Sequence, residues 1–539
     1  MNRDELTADL IQHEAALKAD AQDWLALTRT SNEVFAALTP SLELTTRAKP
    51  ALNKQLFDGS GMRAVEIFAA GVFSNTTPPD DTWQSQRYRD PEANKSPGTA
   101  KYLEARTQVL YSQFAASNFY QAQHTLIKAA ARDGCGFLFK MPNRADRTLM
   151  FKVLRTGTYY IGENADGDVD TLFRWEWLTG SDVLKYWPKL DSQTQKRMES
   201  GRYQRFRVVH SVRPRESYDN EDKSNLSFAF ESVYRLEEKI LEVGGFRALP
   251  YYGVRFGRFG DGPWPSGPSF DALRDGQVMQ TVAKAALKLK QKIADPPREK
   301  LSKVANIPYV THPGAENIVT AFGEAVKEIP VSGNGVILSD EEAARLRQAI
   351  EDTFQVPFFY MQEARDKEMT RAEFLARQAQ DSQRVLPYTG QVMSEELDVL
   401  IDAVAEQADE FGLMPKAPDT MTVRGVKPVT YYTNPLTAIQ KRATTLNGAV
   451  EYVSGMTALG QLVAIAPPEL VDTFNIQDLA DKFADANGMD DVKRDDGDRK
   501  NRAETRQKAQ VMAAQAAALQ QAAAAGVPPQ GPAPVAPGV

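Results

Sequence analysis

The chain runs to 539 residues, too long for a small binding module and enough for about three to four domains of ordinary size or one elaborate subunit. Lys and Arg number 64 against 71 Asp and Glu, a net charge of -7 with the four histidines neutral, and 42% hydrophobic with 25% charged residues is an ordinary globular balance. A wholly disordered chain and a basic protein that coats DNA are both excluded.

Met1 to Leu10 carries Asp4, Glu5 and Asp9 where a secretory signal needs a basic start and an apolar run, so no export signal is expected. Leu6, Leu10, Leu17, Trp24 and Leu27 recur at helical spacing, as do Leu103, Leu110, Phe114, Leu126 and Ile127, which predicts helices over residues 1 to about 140 with a stop at Asp133-Gly134. From about 137 to 260 the pattern changes to short aromatic and β-branched runs. Gly157 to Ile161 and Thr171 to Trp175, separated by Asn164 to Asp168, read as a hairpin with an Asp-Gly turn, and further strands are predicted at Phe206 to Val212 and Phe228 to Tyr234.

Prolines and glycines from Gly260 to Pro268 mark a boundary, after which a long helix is predicted from Ser269 to about Ala294. Val278, Val282, Ala285, Leu289 and Ile293 form its apolar stripe, and Asp295-Pro296-Pro297 ends it because the residue before a proline disfavours helix. Residues 298 to 338 are mixed and loop-like, with a turn at Gly333-Asn334-Gly335. Ser339 with Glu342 reads as a capping box opening a second helix, whose apolar face is Leu346, Ile350 and Phe354 and whose stop is Pro357. After a polar stretch from Met361 to Met369, a second box at Thr370 and Glu373 opens a third helix, kinked at Pro387, continuing through Leu397, Leu400, Ile401 and Val404 to a stop at Gly412. Further helices are expected between 434 and 487; Tyr452 to Pro468, broken by Gly455, Gly460, Gln461 and two prolines, suits a membrane-spanning helix poorly. The end of the chain turns from densely charged to Gln/Ala-rich and then Pro/Gly/Ala-rich, and residues 526–539 are expected to be disordered.

Motifs of catalysis are missing: G-x-x-x-x-G-K-[ST], H-E-x-x-H, G-x-S-x-G and C-x-x-C do not occur. His13, His124, His210 and His312 lie far apart without partners at metal-ligand spacing and read as structural or solvated. Asn164, Asp166, Asp168 and Asp170 alternate like a calcium loop, but Val169 and Trp175 stand where that loop needs Gly and Glu, so the hairpin turn is the better reading. Cys135, the lone cysteine, sits between glycines ahead of Phe137-Leu138-Phe139, which suggests a small side chain entering a buried strand. No metal site and no cofactor are expected. On the long helix Lys284 and Lys288 project roughly 140° and 100° from the centre of the apolar stripe, with Lys292 continuing the row. That ridge reads first as an ordinary solvated face and second as sequence-blind phosphate contacts, and for Arg365 with Lys367 in the polar stretch nothing local decides between a solvated connection and such contacts.

The order of these elements resembles the portal, or head-to-tail connector, proteins of short-tailed, podovirus-type bacteriophages. The specific echoes are the run His124 to Phe139, the hairpin Tyr160 to Leu172, and Met369-Thr370-Arg371-Ala372-Glu373, and the likeness covers most of residues 20 to 525. It implies an α+β, mainly α, portal fold. By it residues 1–263 resemble the wing, helical and then β-rich, 264–297 the first stem helix, 298–338 the clip, and 339–357 the second stem helix. Residues 358–370 resemble the tunnel loop, 371–429 the long kinked helix of the wing, and 430–525 the crown.

The resemblance further implies a structural, non-enzymatic dodecameric ring at one capsid vertex of the virion, assembled in the host cytoplasm, through which double-stranded DNA is packaged and later ejected. Implied partners are further copies of the chain, DNA without sequence preference, the packaging terminase, the major capsid and scaffolding proteins, and tail adaptor proteins, with no membrane. Twelve stem helices about 10 Å apart would enclose a bore of roughly 28 Å, enough for a duplex about 20 Å wide. Such a channel must let DNA slide, which suits moderate overall acidity with a few basic rings. An alternative in the same machine is a motor ATPase or nuclease, which should carry a phosphate loop and clustered carboxylates; another is an adaptor that binds protein alone.

Overall fold

A computed structural model describes residues 3–40, 50–54, 56–90, 93–94, 96–217, 228–258, 262–296, 298–301, 310, 312–313, 315–319, 326–328, 334–360, 383–417 and 427–433. They belong to the first of two units into which the chain divides, Met1–Ile439. From residue 434 on, the region expected to form the crown and tail lies outside the described residues, as do the polar stretch Met361–Met369 and the start of the third helix.

Five long helices open the chain, α1 (Arg3–Asp20), α2 (Gln22–Phe35), α3 (Ser60–Thr76), α4 (Pro97–Ala116) and α5 (Phe119–Asp133), with the short pair β1 (Leu38–Pro40) and β2 (Pro50–Leu52) between α2 and α3 and β3 (Gln84–Arg87) between α3 and α4. The last of these helices stops where the sequence predicts. Gly134 takes φ of 85° and its N–H bonds back to the Ala130 carbonyl, so the chain can leave the helix and enter a strand at the next residue. A Cβ there would also sit 3.1 Å from the Pro265 carbonyl oxygen.

Two antiparallel sheets follow. One takes β4 (Cys135–Asn143), β5 (Thr148–Val153) and β11 (Tyr251–Arg255) in the order β11-β4-β5; the other takes β6 (Tyr159–Glu163), β7 (Val169–Thr179), β8 (Arg205–Pro214), β9 (Phe230–Leu236) and β10 (Lys239–Phe246) in the order β10-β9-β8-β7-β6. Strand periodicity explains why β4 reads as an unbroken apolar run. Phe137 and Phe139 face a core shared with α1, α2 and the five-stranded sheet, while Leu138 faces a second core built on α3, α5 and the C-terminal helices. The small sheet is thus the wall between two cores. The predicted hairpin is β6–β7, with Ile161 opposite Leu172; the Asn164 side-chain oxygen accepts from the N–H groups of Asp166 and Asp168, and Gly167 takes φ of 84°. β10 and β11, with Gly244, Gly245 and Gly253 in them, were not legible as strands.

Directly after β7, α6 (Gly180–Tyr186) and then α7 (Ser192–Ser200) cap a third, small core around Val183 and Met198. The long predicted helix is a turn, α8 (Pro268–Asp271), leading into α9 (Leu273–Ala294), which ends at Asp295 as expected. The 298–338 insertion is less loop-like than its composition suggests: β12 (Arg298–Leu301) pairs parallel with β13 (Glu316–Val319) and antiparallel with β14 (Val326–Glu328).

Three boundaries differ from expectation. The second stem helix, α10, spans Asn334–Thr353, so Ser339 lies inside it and cannot be its cap; the Glu342 carboxylate pairs instead with Arg345 one turn on, at 2.6 Å. A capping box stabilises by only about 1 kcal/mol, less than an added helical turn can contribute through packing. Pro357 does not stop this helix either. Gln355, at φ of 54°, breaks it, and Pro357 sits in the first turn of α11 (Val356–Tyr360), where its missing N–H is harmless. Likewise Pro387 begins α12 (Leu386–Gln391) rather than kinking a longer helix; a π-helical segment, Val392–Leu397, then leads directly into α13 (Asp398–Glu410). The predicted faces are right: Leu346, Ile350, Phe354, Leu397, Leu400, Ile401 and Val404 are all buried, and Gly412 takes the left-handed conformation at the helix end. The last described strand, β15 (Val429–Tyr432), pairs with β3 (Gln84–Arg87) beside α4.

Candidate nucleic-acid interface

The basic ridge is built on α9, and its direction follows from which side of the helix its own chain covers. Leu273, Gly276, Met279 and Ala286 are buried. At about 100° per residue, Gly276, Ala286 and Lys290 fall within about 60° of Met279, which defines the packed side. Val278, Leu287 and Ile293 remain 48%, 47% and 43% exposed. The stripe Val278-Val282-Ala285-Leu289-Ile293, expected to be the buried face, is only partly so: Val282 packs against the core and Leu289 is half-buried, but Val278, Ala285 and Ile293 stay exposed, because the centre of the stripe is rotated about 80° from Met279. Close approach decided the matter over apolar content: a Cβ on Gly276 would lie 2.4 Å from Val34 Cγ1 of α2.

Lys284, Lys288 and Lys292 fall about 140°, 180° and 220° from Met279, on the side opposite the packed one. Lys284 and Lys288 are exposed and Lys292 half-buried. The Lys284 ammonium lies 5.3 Å from the centre of the Phe57 ring, a cation–π contact. Lys288 and Lys292 make no ion pair among the described residues. Lys290, on the packed side, is bound to Asp340 of α10 at 2.9 Å and helps hold the two helices together. Arg365 and Lys367 lie outside the described residues.

A clamp that sequence reasoning missed fixes the pair of helices. The Gln280 side-chain oxygen on α9 accepts from the N–H groups of Phe57 and Asp58 at 2.6 and 2.9 Å, and its nitrogen donates to the Asp58 carbonyl at 2.8 Å. The Asp58 carboxylate in turn accepts from Arg347 of α10 at 3.0 Å. Burial opposes its ionisation, yet hydrogen bonds from Ser60 and the Arg347 guanidinium hold it below the usual carboxylate range. The sole local signal was Asp58-Gly59-Ser60 ahead of an apolar helix, an N-terminal cap pattern that says nothing of its distant partners.

Elsewhere, of the groups singled out from sequence, Cys135 and His210 are buried in the cores, His13 and His124 are half-buried and His312 is exposed. Burial pushes the Cys135 thiol up to about 12. His210 lies between the Tyr251 hydroxyl and Ser232 Oγ and stacks on Tyr234 at 4.0 Å; burial, then the Arg174 guanidinium, holds its imidazole well below the ordinary value. His13 and His124 pack edge-on against Phe173 and Phe73. Among the described residues no group of His, Cys, Asp or Glu could hold a metal ion, and no helix is long and apolar enough to cross a membrane.

The chain is 25% identical over 503 residues, 87% of its length and 85% of the relative's, to the probable portal protein of Bordetella phage BPP-1. It is 24% identical over 498 residues, 88% of its length and 86% of the relative's, to the portal protein of Salmonella phage epsilon15. Among solved structures, a chain in the virion of a native gene transfer agent particle shares 14% identity at a TM-score of 0.37, covering 83% of this chain and 92% of that one. A chain from the neck of an empty particle of that agent shares 13% at 0.35, covering 79% and 90%. The model of the bacteriophage head to tail connecting proteins matches residues 7–492, and the chain belongs to that family.

Proposed function

We propose that copies of this chain close into a structural ring, without chemistry of its own, whose bore passes double-stranded DNA into the capsid and out again at the portal vertex of the virion. The observation that carries this reading is the three-sided character of α9. One side is packed against its own chain; apolar residues stand exposed on both flanks, Val278 and Ala285 about 100° to 120° round one way and Leu287 about 80° the other; the lysine row lies between those flanks. A subunit within a ring has two neighbours, an outside and an inside. The flanks suit the neighbours, and the lysines then point at the axis, where a sliding polyanion needs sequence-blind point charges.

In this reading residues 1–263 and the helices ending at Glu410 form the wing, α9 and α10 the stem, and β12–β14 the clip, with 358–370 as the tunnel loop and 430–525 as the crown. The names of the relatives support a twelvefold ring no more than a ring of another order; a lumen that clears a duplex favours about twelve. Further copies, a packaging terminase, capsid and scaffolding proteins and tail adaptors would be its protein partners. Negative-stain electron microscopy of the purified protein tests the assembly: annular views with a central opening are expected, and solid particles would refute it. Neutral substitution of Lys284, Lys288, Lys292, Arg365 and Lys367 together should leave rings intact while lowering genome packaging or retention; unchanged virions would remove these residues from the channel.

A further inference from the structure

The three lysines on the open side of α9 are not held alike. Lys288 and Lys292 make no ion pair among the described residues, whereas the Lys284 ammonium is seated 5.3 Å from the centre of the Phe57 ring. That ring is fixed through its own backbone. Gln280, one turn before Lys284, accepts from the Phe57 and Asp58 N–H groups and donates to the Asp58 carbonyl, while the Asp58 carboxylate accepts from Arg347 Nε and Nη2 of α10 at 3.2 and 3.0 Å. Phe57 is still 39% exposed, so core packing is not what holds it there. Around the helix Gln280 stands about 100° from Met279, on the same side as Leu287, with Lys284 at about 140° and Lys288 at about 180°. The seat therefore lies toward the flank, and a lysine held in it is drawn away from the middle of the row.

We infer that Phe57 is a positioning residue for Lys284: its ring holds the ammonium off the axis, so that Lys288 meets the phosphates first and each subunit grips a passing duplex less tightly than its lysine count allows. The inference rests on the reading of the lysine row as facing DNA. A cation–π contact at an exposed site is worth a factor of about two to five, which is modest in one subunit but is repeated in every copy of a ring. A bore that engaged phosphates through every lysine would release more counterions, bind more tightly and resist sliding. The ring face is what the role needs, since an aliphatic side chain of similar size would fill the same place without attracting a cation.

Binding of a short fluorescein-labelled duplex of mixed sequence to the full-length protein is read by fluorescence anisotropy over a series of salt concentrations, with annular particles checked by negative stain. Phe57→Leu keeps an apolar side chain and removes the aromatic face. It is expected to bind the duplex about two- to fivefold more tightly, or more, with a log–log salt slope steeper by up to about 0.9 for each phosphate that a released Lys284 gains. The gain should vanish when Lys284→Gln is already present, a coupling that a merely structural phenylalanine would not show. If Phe57→Leu forms no rings, Phe57→Trp decides, its larger face shifting both readouts the opposite way. Unchanged or weaker binding by Phe57→Leu, unchanged or tighter binding by Phe57→Trp where that variant decides, or tighter binding that persists beside Lys284→Gln would overturn the inference. Lys288→Gln with Lys292→Gln separates this failure from failure of the reading beneath it: weaker binding leaves the row facing DNA, so that the Phe57 result stands by itself, and unchanged binding removes both.

Discussion

Glu396 lies in the π-helical segment with its side chain wholly buried, its Oε2 accepting from the Gln123 side chain at 2.9 Å. Its neighbour Glu395 has the opposite surroundings, accepting from the Arg255 N–H at 2.8 Å and from the guanidinium at 2.5 Å. Burial raises the Glu396 carboxyl to about 8, from an ordinary 4.5. Between those two values the folded chain holds a proton that the unfolded chain releases, so stability is fully present below about pH 4.5 and is lost as pH rises toward 8, by up to about 1.4 kcal/mol per pH unit. Glu396→Gln keeps an acceptor for Gln123 and removes that slope. Thermal scans from pH 5 to 9 should show the variant several degrees more stable than the parent at pH 9 and little changed at pH 5; equal melting at pH 9 would mean that the carboxyl ionises in place without cost. His210 gives the reverse slope, since its folded imidazole is held neutral while the unfolded one takes a proton: stability should fall as pH drops below about 6.5. The sequence marks His210 only as structural or solvated and does not single out Glu396. Glu395 and Glu396 are the same residue type in adjacent positions, about 100° apart on a helix, and only the fold decides which meets an arginine and which meets a core.

At the scale of elements, local signals placed the long helices, the hairpin and the Gly134 and Gly412 stops, because periodicity and left-handed caps act over a single turn. What they could not place was the side of α9 that packs, because Val34 of α2 and the Asp58 loop come from more than two hundred residues away in the chain. The same remoteness hid the Gln280 clamp from sequence, while the lysine row was legible as spacing but not as direction. Two glycines separate the competing effects. Gly276 is a helical glycine kept by contact: Gly276→Val drives a methyl into Val34 and should destabilise by roughly 1–3 kcal/mol, seen as a lower melting temperature and denaturant midpoint. Gly390 is a helical glycine with open space around it, so Gly390→Ala should stabilise by up to about 1 kcal/mol through helix propensity alone. If Gly276→Val melts at the parent temperature, the close packing of α9 on α2 is not what sets the rotation of the helix.

For the whole molecule, the two apolar flanks of α9 make different demands from a single sticky patch. Val278 and Leu287 are nine residues apart in sequence, hence about 180° apart around the helix, and both are nearly half exposed. In the proposed ring, two different surfaces on opposite sides would make a head-to-tail contact, one copy's Val278 side meeting the next copy's Leu287 side, a kind of contact that does not stop at pairs and that closes into a ring where the rotation between copies closes. Val278→Glu spoils one side and Leu287→Glu the other, each at a position its own chain leaves exposed, so the folded subunit should melt as before. Each variant alone is expected to lose annular particles. Mixed in equal amounts, the intact side of one variant can still meet the intact side of the other, but the two spoiled sides then face outward and nothing more can add. Light scattering after size-exclusion chromatography should therefore find pairs in the mixture, no rings, and fewer pairs in either variant alone. Rings that survive both single substitutions would place the subunit contacts away from these flanks, and with them would go the reason for pointing Lys284, Lys288 and Lys292 at the axis.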